Sequence, residues 1–445
     1  MFDCDREAIR KNFSVSCRPL PLPIPDTAPA WVLLEPLAYI ADHTNATTAE
    51  ASSSTGHTVR VTVCFTDPLG VSHVCVHCPS LKDTDFCNRL TVVCSEKDYL
   101  ILSVVFIFGP HAQQGLREYF VYKASPCRPS LHLLPGPFPR GLTDTDIALV
   151  PDDDDGAHFV LAALRFTLHP WVYDLHIFSS RTWAWSLKVA QAEVSPEVRT
   201  GVSTISASKA IRLGGGTVGW VDLWTGIAVC NVLDETPVLR FMPVPQLMPG
   251  HMEGSKSSGP IRNVSCSNGV IKFVEIEKHE RHDPDGRSFD DMDTLTDSDC
   301  LPKPKVVGWR AMTWYRMASW DHWRRGCMAY DHEISVDCQR HSMLLPELTD
   351  NNAGELTLKN MLASFPVLSL TCDCDDIVYM LCETKSGHKK SWLISVDLRK
   401  KMLVELAPFP LQGYFDLAHP SILSKYLNIA PGLDLSVKAS TKDAD

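Results

Sequence analysis

The sequence predicts an all-β protein, a single β-propeller of six or seven four-stranded blades. Three observations lead there. Runs rich in Val, Ile, Leu, Tyr and Trp recur at roughly 8–12-residue spacing with Asp-Pro, Gly-Pro and Thr-Gly breakers between them, the pattern of short half-buried strands. Apolar residues seldom fall at the spacing that a long amphipathic helix needs. A four-strand rhythm repeats along the chain at about 45–50 residues, the period of a propeller blade.

The rhythm is read from three blocks. Residues 202–244 divide into strands at 202–213, 217–223, 227–233 and 238–244, and residues 365–407 into strands at 365–371, 376–383, 391–397 and 401–407. Both blocks end in a proline-containing exit, Pro243-Val244-Pro245 and Pro408-Phe409-Pro410. A third block has strands at 159–166, 171–178 and 182–188. Within the 202–244 block, Gly214, Gly216 and Gly219 spell G-x-G-x-x-G. A dinucleotide-binding turn needs a helix after the glycines, whose free N–H groups hold the pyrophosphate. The β-type run Thr217-Val218-Gly219-Trp220-Val221 follows instead, so the glycines are read as an inter-strand turn and no cofactor is expected.

The other segments follow in order. Residues 1–27 are polar and then proline-rich, Arg18-Pro19-Leu20-Pro21-Leu22-Pro23-Ile24-Pro25, and predict an extended arm that cannot be helical. Residues 28–430 form the repeat domain. The Ser/Thr/Ala segment 44–58 is expected to be a surface loop, with strands after it at 59–65, 71–78, 90–94, 100–108 and 119–123. The run 100–108 is the longest apolar one, far short of the roughly twenty residues that span a bilayer, so it predicts a buried strand and no membrane association. Segment 278–304 is acidic and proline-flanked and predicts a solvated loop, and 431–445 a disordered tail.

Composition narrows the function classes. At 44% hydrophobic and 21% charged residues the chain can build a substantial core. A net charge of -11 argues against a phosphate-backbone binder, so nucleic acid is not an expected partner. The sixteen cysteines lie mostly in apolar runs such as Val63-Cys64-Phe65, as reduced thiols buried like small hydrophobes do. The start Met1-Phe2-Asp3-Cys4-Asp5-Arg6 leads to no apolar signal-peptide core, so an intracellular setting, cytoplasmic or nuclear, is expected. The sequons at Asn45 and Asn263 then carry little weight.

No G-x-S-x-G, H-E-x-x-H or Walker A pattern occurs, and no catalytic residue is assigned. His73-Val74-Cys75-Val76-His77-Cys78 is the sharpest metal candidate, because His73, Cys75 and His77 share a strand face and zinc accepts thiolate and imidazole. No second C-x-x-C follows at a fitting distance, so the expectation is packing and no metal. Pro151-Asp152-Asp153-Asp154-Asp155-Gly156 fails as a calcium loop, since Ala162 stands where the bidentate Glu belongs. The best recognition candidate is aromatic and basic: Trp309, Arg310, Trp314, Trp320, Trp323, Arg324 and Arg325 could present stacking faces beside guanidinium groups to a partner. Tryptophans filling a core between blades are the competing, more ordinary explanation.

Gly219-Trp220-Val221-Asp222-Leu223-Trp224-Thr225-Gly226-Ile227, Cys230-Asn231-Val232-Leu233 and Leu239-Arg240-Phe241-Met242-Pro243-Val244-Pro245 resemble the core motif of a plant family expanded in grasses, domain of unknown function 1618. Pro29-Ala30-Trp31-Val32-Leu33-Leu34, Asn45-Ala46-Thr47-Thr48-Ala49-Glu50-Ala51, Phe365-Pro366-Val367-Leu368-Ser369 and Asp376-Ile377-Val378-Tyr379 are similar to it as well. The resemblance implies no activity, catalytic residue or cofactor. The expectation is a non-enzymatic propeller that binds a protein partner through loops on one face. The alternatives are a hydrolase or lyase with its site in the propeller channel, and a zinc-stabilised module around Cys75 and Cys78.

Overall fold

Strands dominate because β-branched and aromatic residues alternate with polar ones over short runs that glycine, proline and aspartate interrupt. The computed structural model describes residues 25–427 except 26, 88–89, 112–113, 137, 140–141, 153–155, 168, 170–171, 194–205, 249–257, 282–304, 338, 342–356, 371–375, 386–390 and 410–417. Nearly all of the predicted arm, most of the acidic loop and the predicted tail lie outside the described residues. Among the described residues the fold is all-β, with only short 3-10 turns between strands. Two compact units divide the chain, Met1–Pro243 with Leu417–Asp445, and Val244–Asp416.

In the first unit, a ten-stranded sheet holds β1 (Val32–Leu34), β2 (Leu37–Ile40), β3 (Ala49–Ser52), β4 (Thr58–Cys64), β5 (Val71–His77), β6 (Leu90–Glu96), β7 (Tyr99–Phe106), β8 (Leu116–Lys123) and β9 (Ser130–Leu133), with β26 (His419–Ser421) added from the far end of the chain. β1 and β2 run parallel to β5, β4 is antiparallel to it, and β26 pairs antiparallel with β1 through Val32↔Ser421. The strand β3 sits inside the segment 44–58 expected to be a loop. Its weak strand-formers are held by pairing with β4, Ala49 opposite Val61. β7, over the longest apolar run, is buried along nearly its whole length.

An eight-stranded sheet follows, made of β10 (Ile147–Pro151), β11 (Phe159–Phe166), β12 (Val172–Ser179), β13 (Ala184–Glu193), β14 (Lys209–Gly214), β15 (Thr217–Asp222), β16 (Gly226–Asn231) and β17 (Val238–Pro243). It consists of two antiparallel four-strand meanders fused by a parallel contact, Gln191↔Val238 to Glu193↔Arg240. That contact is why eight strands share one sheet where separate four-stranded units are expected. Gly214 and Gly215 turn the chain with φ of 120° and 51°, a region that favours glycine, and a strand follows them. The inter-strand reading of the G-x-G-x-x-G run therefore holds. Trp220 and Val221 lie in the core, and the Trp220 indole donates to the Asp146 carbonyl at 2.7 Å, joining the two meanders.

The second unit has two antiparallel four-stranded sheets. One is β18 (Arg262–Ser267), β19 (Val270–Arg281), β20 (Lys305–Met317) and β21 (Arg324–Tyr330), and the other β22 (Met361–Leu368), β23 (Ile377–Thr384), β24 (Ser391–Asp397) and β25 (Met402–Phe409). β19 carries on through Lys278–Arg281, which the sequence reading placed in the acidic loop, because backbone pairing with β20 tolerates its polar side chains. Val274, Ile276, Trp309, Ala311, Met380 and Ile394 pack the two sheets together. Deep in this unit Arg262 and Glu275, both 0% exposed, form an ion pair at 2.9 Å.

Candidate functional site

The aromatic and basic segment occupies β20, β21 and the turn between them, and its residues separate by environment. Trp309 is fully buried, donates its indole N–H to the Met361 carbonyl at 3.0 Å and belongs to the core, so it cannot meet a partner. Arg310 is drawn inward by an ion pair with Glu277 and a 3.0 Å bond to the Tyr330 hydroxyl. Trp314 and Trp323 are half-buried, each set edge-on to Phe273. Trp320, also half-buried, meets Tyr315 edge-on, and the Arg324 guanidinium lies 4.1 Å from its ring centroid. Arg324 and Arg325 are exposed at the start of β21, which pairs only with β20 among the described strands. Of the predicted segment, half-buried Trp320 and exposed Arg324 and Arg325 lie together, whereas Trp309 belongs to the core, where its ring fills volume.

The metal candidate is rearranged. β4 and β5 pair with Cys64 opposite His73 and Thr62 opposite Cys75, so Cys64, His73 and Cys75 share one face. Their ligand atoms lie within 4.8 Å of one another. The other face of both strands, Val61, Val63, Val74 and Val76, enters the apolar core together with Cys78. Cys75 and Cys78, an odd number of residues apart, therefore leave the predicted C-x-x-C as no pair at all. His77 lies across from Arg60 and 3.8 Å from Asp42. Hydrogen bonding from Cys75, then His73, holds the Cys64 thiol down to about 5, while bonding to Cys64 and burial push Cys75 strongly up. Burial pushes Cys78 up to about 12. Cys64 is the donor group that sequence reasoning did not place beside His73 and Cys75, and only the strand register could reveal it.

A third group sits on β6, β14 and β26. Burial pushes Glu96 up to about 7, against the opposing charges of Arg212 and Lys97. It pushes Lys209 down to about 8, and His419 down to about 4 with the Lys209 charge adding to the effect. The Ser95 and Ser421 hydroxyls, 2.8 Å apart, tie β6 to β26 at this place. Both sequon asparagines are engaged: Asn263 is buried and donates to the Pro366 carbonyl at 2.8 Å, and Asn45 donates to that of Val63 at 3.2 Å.

Residues 220–379 match the family described as Protein of unknown function (DUF1618). Over this stretch the chain is similar to the DUF1618 family. The DUF1618 region opens at Trp220 in β15, contains the whole of β20 and β21, and leaves Cys64, His73 and Cys75 outside it. No curated protein is significantly similar to the chain. Among solved structures, a levansucrase mutant from B. megaterium is similar at TM-score 0.26 and 8% identity, over 86% of this chain and 93% of that one. At that score the likeness carries no argument about fold or activity. No helix among the described residues is long and apolar enough to cross a membrane.

Proposed function

We propose that this protein is a non-enzymatic scaffold of the cytoplasm or nucleus that captures an acidic, extended segment of a protein partner along the edge of β21. The observation that carries this reading is Arg324 stacked 4.1 Å over Trp320 beside the exposed Arg325. A guanidinium held on an indole face is already ordered, so pairing with a carboxylate sacrifices less side-chain entropy than a free arginine would. The neighbouring strand edge offers backbone groups to an added strand, and edge pairing with charged flanks is a recurrent mode of peptide capture. The scaffold itself is read as a six-bladed propeller, with blades β1–β5 plus β26, β6–β9, β10–β13, β14–β17, β18–β21 and β22–β25. No disulfide joins the ten described cysteines, which suits a reducing compartment. Peptides selected from a random displayed library against the purified chain should be rich in Asp and Glu. They should lose binding to a chain carrying Arg324→Glu and Arg325→Glu, and selected peptides that bind this variant as well as wild type refute the reading.

One observation favours a second reading, a hydrolase or lyase: Glu96 and Lys209 are both shifted toward neutrality, where general acids and bases work. Turnover of a small-molecule library that disappears in Glu96→Gln and persists in the Arg324→Glu, Arg325→Glu chain would support it. Absence of turnover would remove it.

A further inference from the structure

We propose that Cys64, His73 and Cys75 form a binding site for a thiophilic divalent cation, with zinc as the natural occupant. Pairing register places them: β4 and β5 set Cys64 directly across from His73, and Cys75 follows two residues on along the same face. Two sulfurs and one imidazole nitrogen lie within 4.8 Å of one another, so closure onto an ion with bond lengths of about 2.0–2.3 Å requires side-chain adjustment and no change of strand pairing. The strands are rigid at this place, since their opposite faces are locked into the valine core. A preformed donor set of this kind loses little entropy on binding.

The surroundings fit a metal better than packing alone. His73 and Cys75 are buried at 5% and 1% exposure on a face that carries polar and sulfur groups instead of aliphatic ones. The Tyr39 ring stands edge-on to His73 with centroids 5.2 Å apart, and its hydroxyl donates to the Glu35 carboxylate at 2.8 Å, so the imidazole is held from behind by an oriented ring. Cys64 is only half-buried, which leaves an entry path. Exposed His43, whose carbonyl accepts from Thr62 Oγ1 at 2.7 Å, is close enough to Cys64 to act on its charge and is the side chain available to complete a tetrahedral set. Two thiols, one or two imidazoles and no carboxylate select zinc over magnesium or calcium.

The test uses the full chain, reduced and freed of metal, titrated with Co²⁺ as a spectroscopic stand-in and then with Zn²⁺. One Co²⁺ per chain should give a thiolate-to-cobalt charge-transfer band with the intense visible bands of a tetrahedral centre, and Zn²⁺ should displace it. Cys64→Ser and Cys75→Ser should each abolish the charge-transfer intensity or cut it by about half, as one of two sulfurs is lost, and His73→Gln should shift the visible bands. Cys78→Ala and His77→Gln should leave the spectrum unchanged, although both belong to the motif visible in the sequence. Because a cysteine variant could misfold, a second measurement uses wild type alone: Zn²⁺ should protect Cys64 from alkylation, and Mg²⁺ should not. A fully reduced wild type without a cobalt spectrum overturns the proposal. So does a spectrum that survives Cys64→Ser and fails in Cys78→Ala, or a Cys64–Cys75 disulfide that on reduction yields thiols with no zinc protection.

Discussion

Replacing Trp220 with alanine is the sharpest test of how the first unit is held together. The side chain is 1% exposed in a cluster with Ala148, Val150, Leu175 and Val218, so both four-strand meanders lose contacts when it goes. Truncation of a buried Trp costs about 3–5 kcal/mol in transfer and cavity terms. The Asp146 carbonyl also loses the indole donor now 2.7 Å away, worth about 1 kcal/mol. A combined loss of about 5 kcal/mol corresponds to a fall in melting temperature of about 10–20 °C, at about 2–4 °C per kcal/mol for a unit of this size. Trp220→Phe keeps most of the ring and loses only the donor and some volume, so its loss should be about 1–2 kcal/mol. Calorimetry and urea midpoints on the three proteins give the comparison. An alanine variant that melts with wild type would show that Trp220 is not structural, and a phenylalanine variant as unstable as alanine would show that the hydrogen bond, not packing, dominates.

Two further outcomes follow from buried charge. Arg262→Met strands the Glu275 carboxylate in the core and should lower the urea midpoint by about 3–5 kcal/mol equivalent, whereas Arg262→Met with Glu275→Leu should recover most of it; equal loss in both would refute the pairing. Burial raises the Glu96 carboxyl from its ordinary 4.5 to about 7, so the folded state holds its proton more tightly than the unfolded chain does. Its contribution is then fullest below pH 4.5 and is lost as pH rises through about 7, and Glu96→Gln should melt above wild type beyond pH 7 with the gap closing toward pH 4.5. A gap independent of pH would rule that assignment out.

The strands around Trp220 were legible because β-branched and aromatic residues, a glycine pair and Thr225-Gly226 all point to the same hairpins. β3 was not, since Ala49, Glu50 and Ser52 have little strand preference and owe their conformation to β4. The polar end of β19 was hidden for the same reason: pairing opposite Gly308 and Trp309 sets its conformation, not its own composition. At the sites, local sequence could offer only neighbours in the chain. It therefore joined Cys75 to Cys78, which point to opposite faces, and passed over Cys64, which the register brings to His73 from nine positions away. Trp309 and Trp320 look alike in a list of aromatics, and only the second sheet, whose Met361 carbonyl takes the Trp309 indole, tells them apart.

The pairing of β26 with β1 also imposes an order of events during synthesis. Val32, Leu33 and Leu34 leave the ribosome nearly four hundred residues before His419, Pro420 and Ser421, their antiparallel partners, are made. The first sheet must wait with one edge open while Val244–Asp416, contiguous in sequence, can fold on its own schedule. A released chain truncated before residue 419 should thus carry a complete second unit and an uncapped first one, whose open edge is exposed to wrong strand partners.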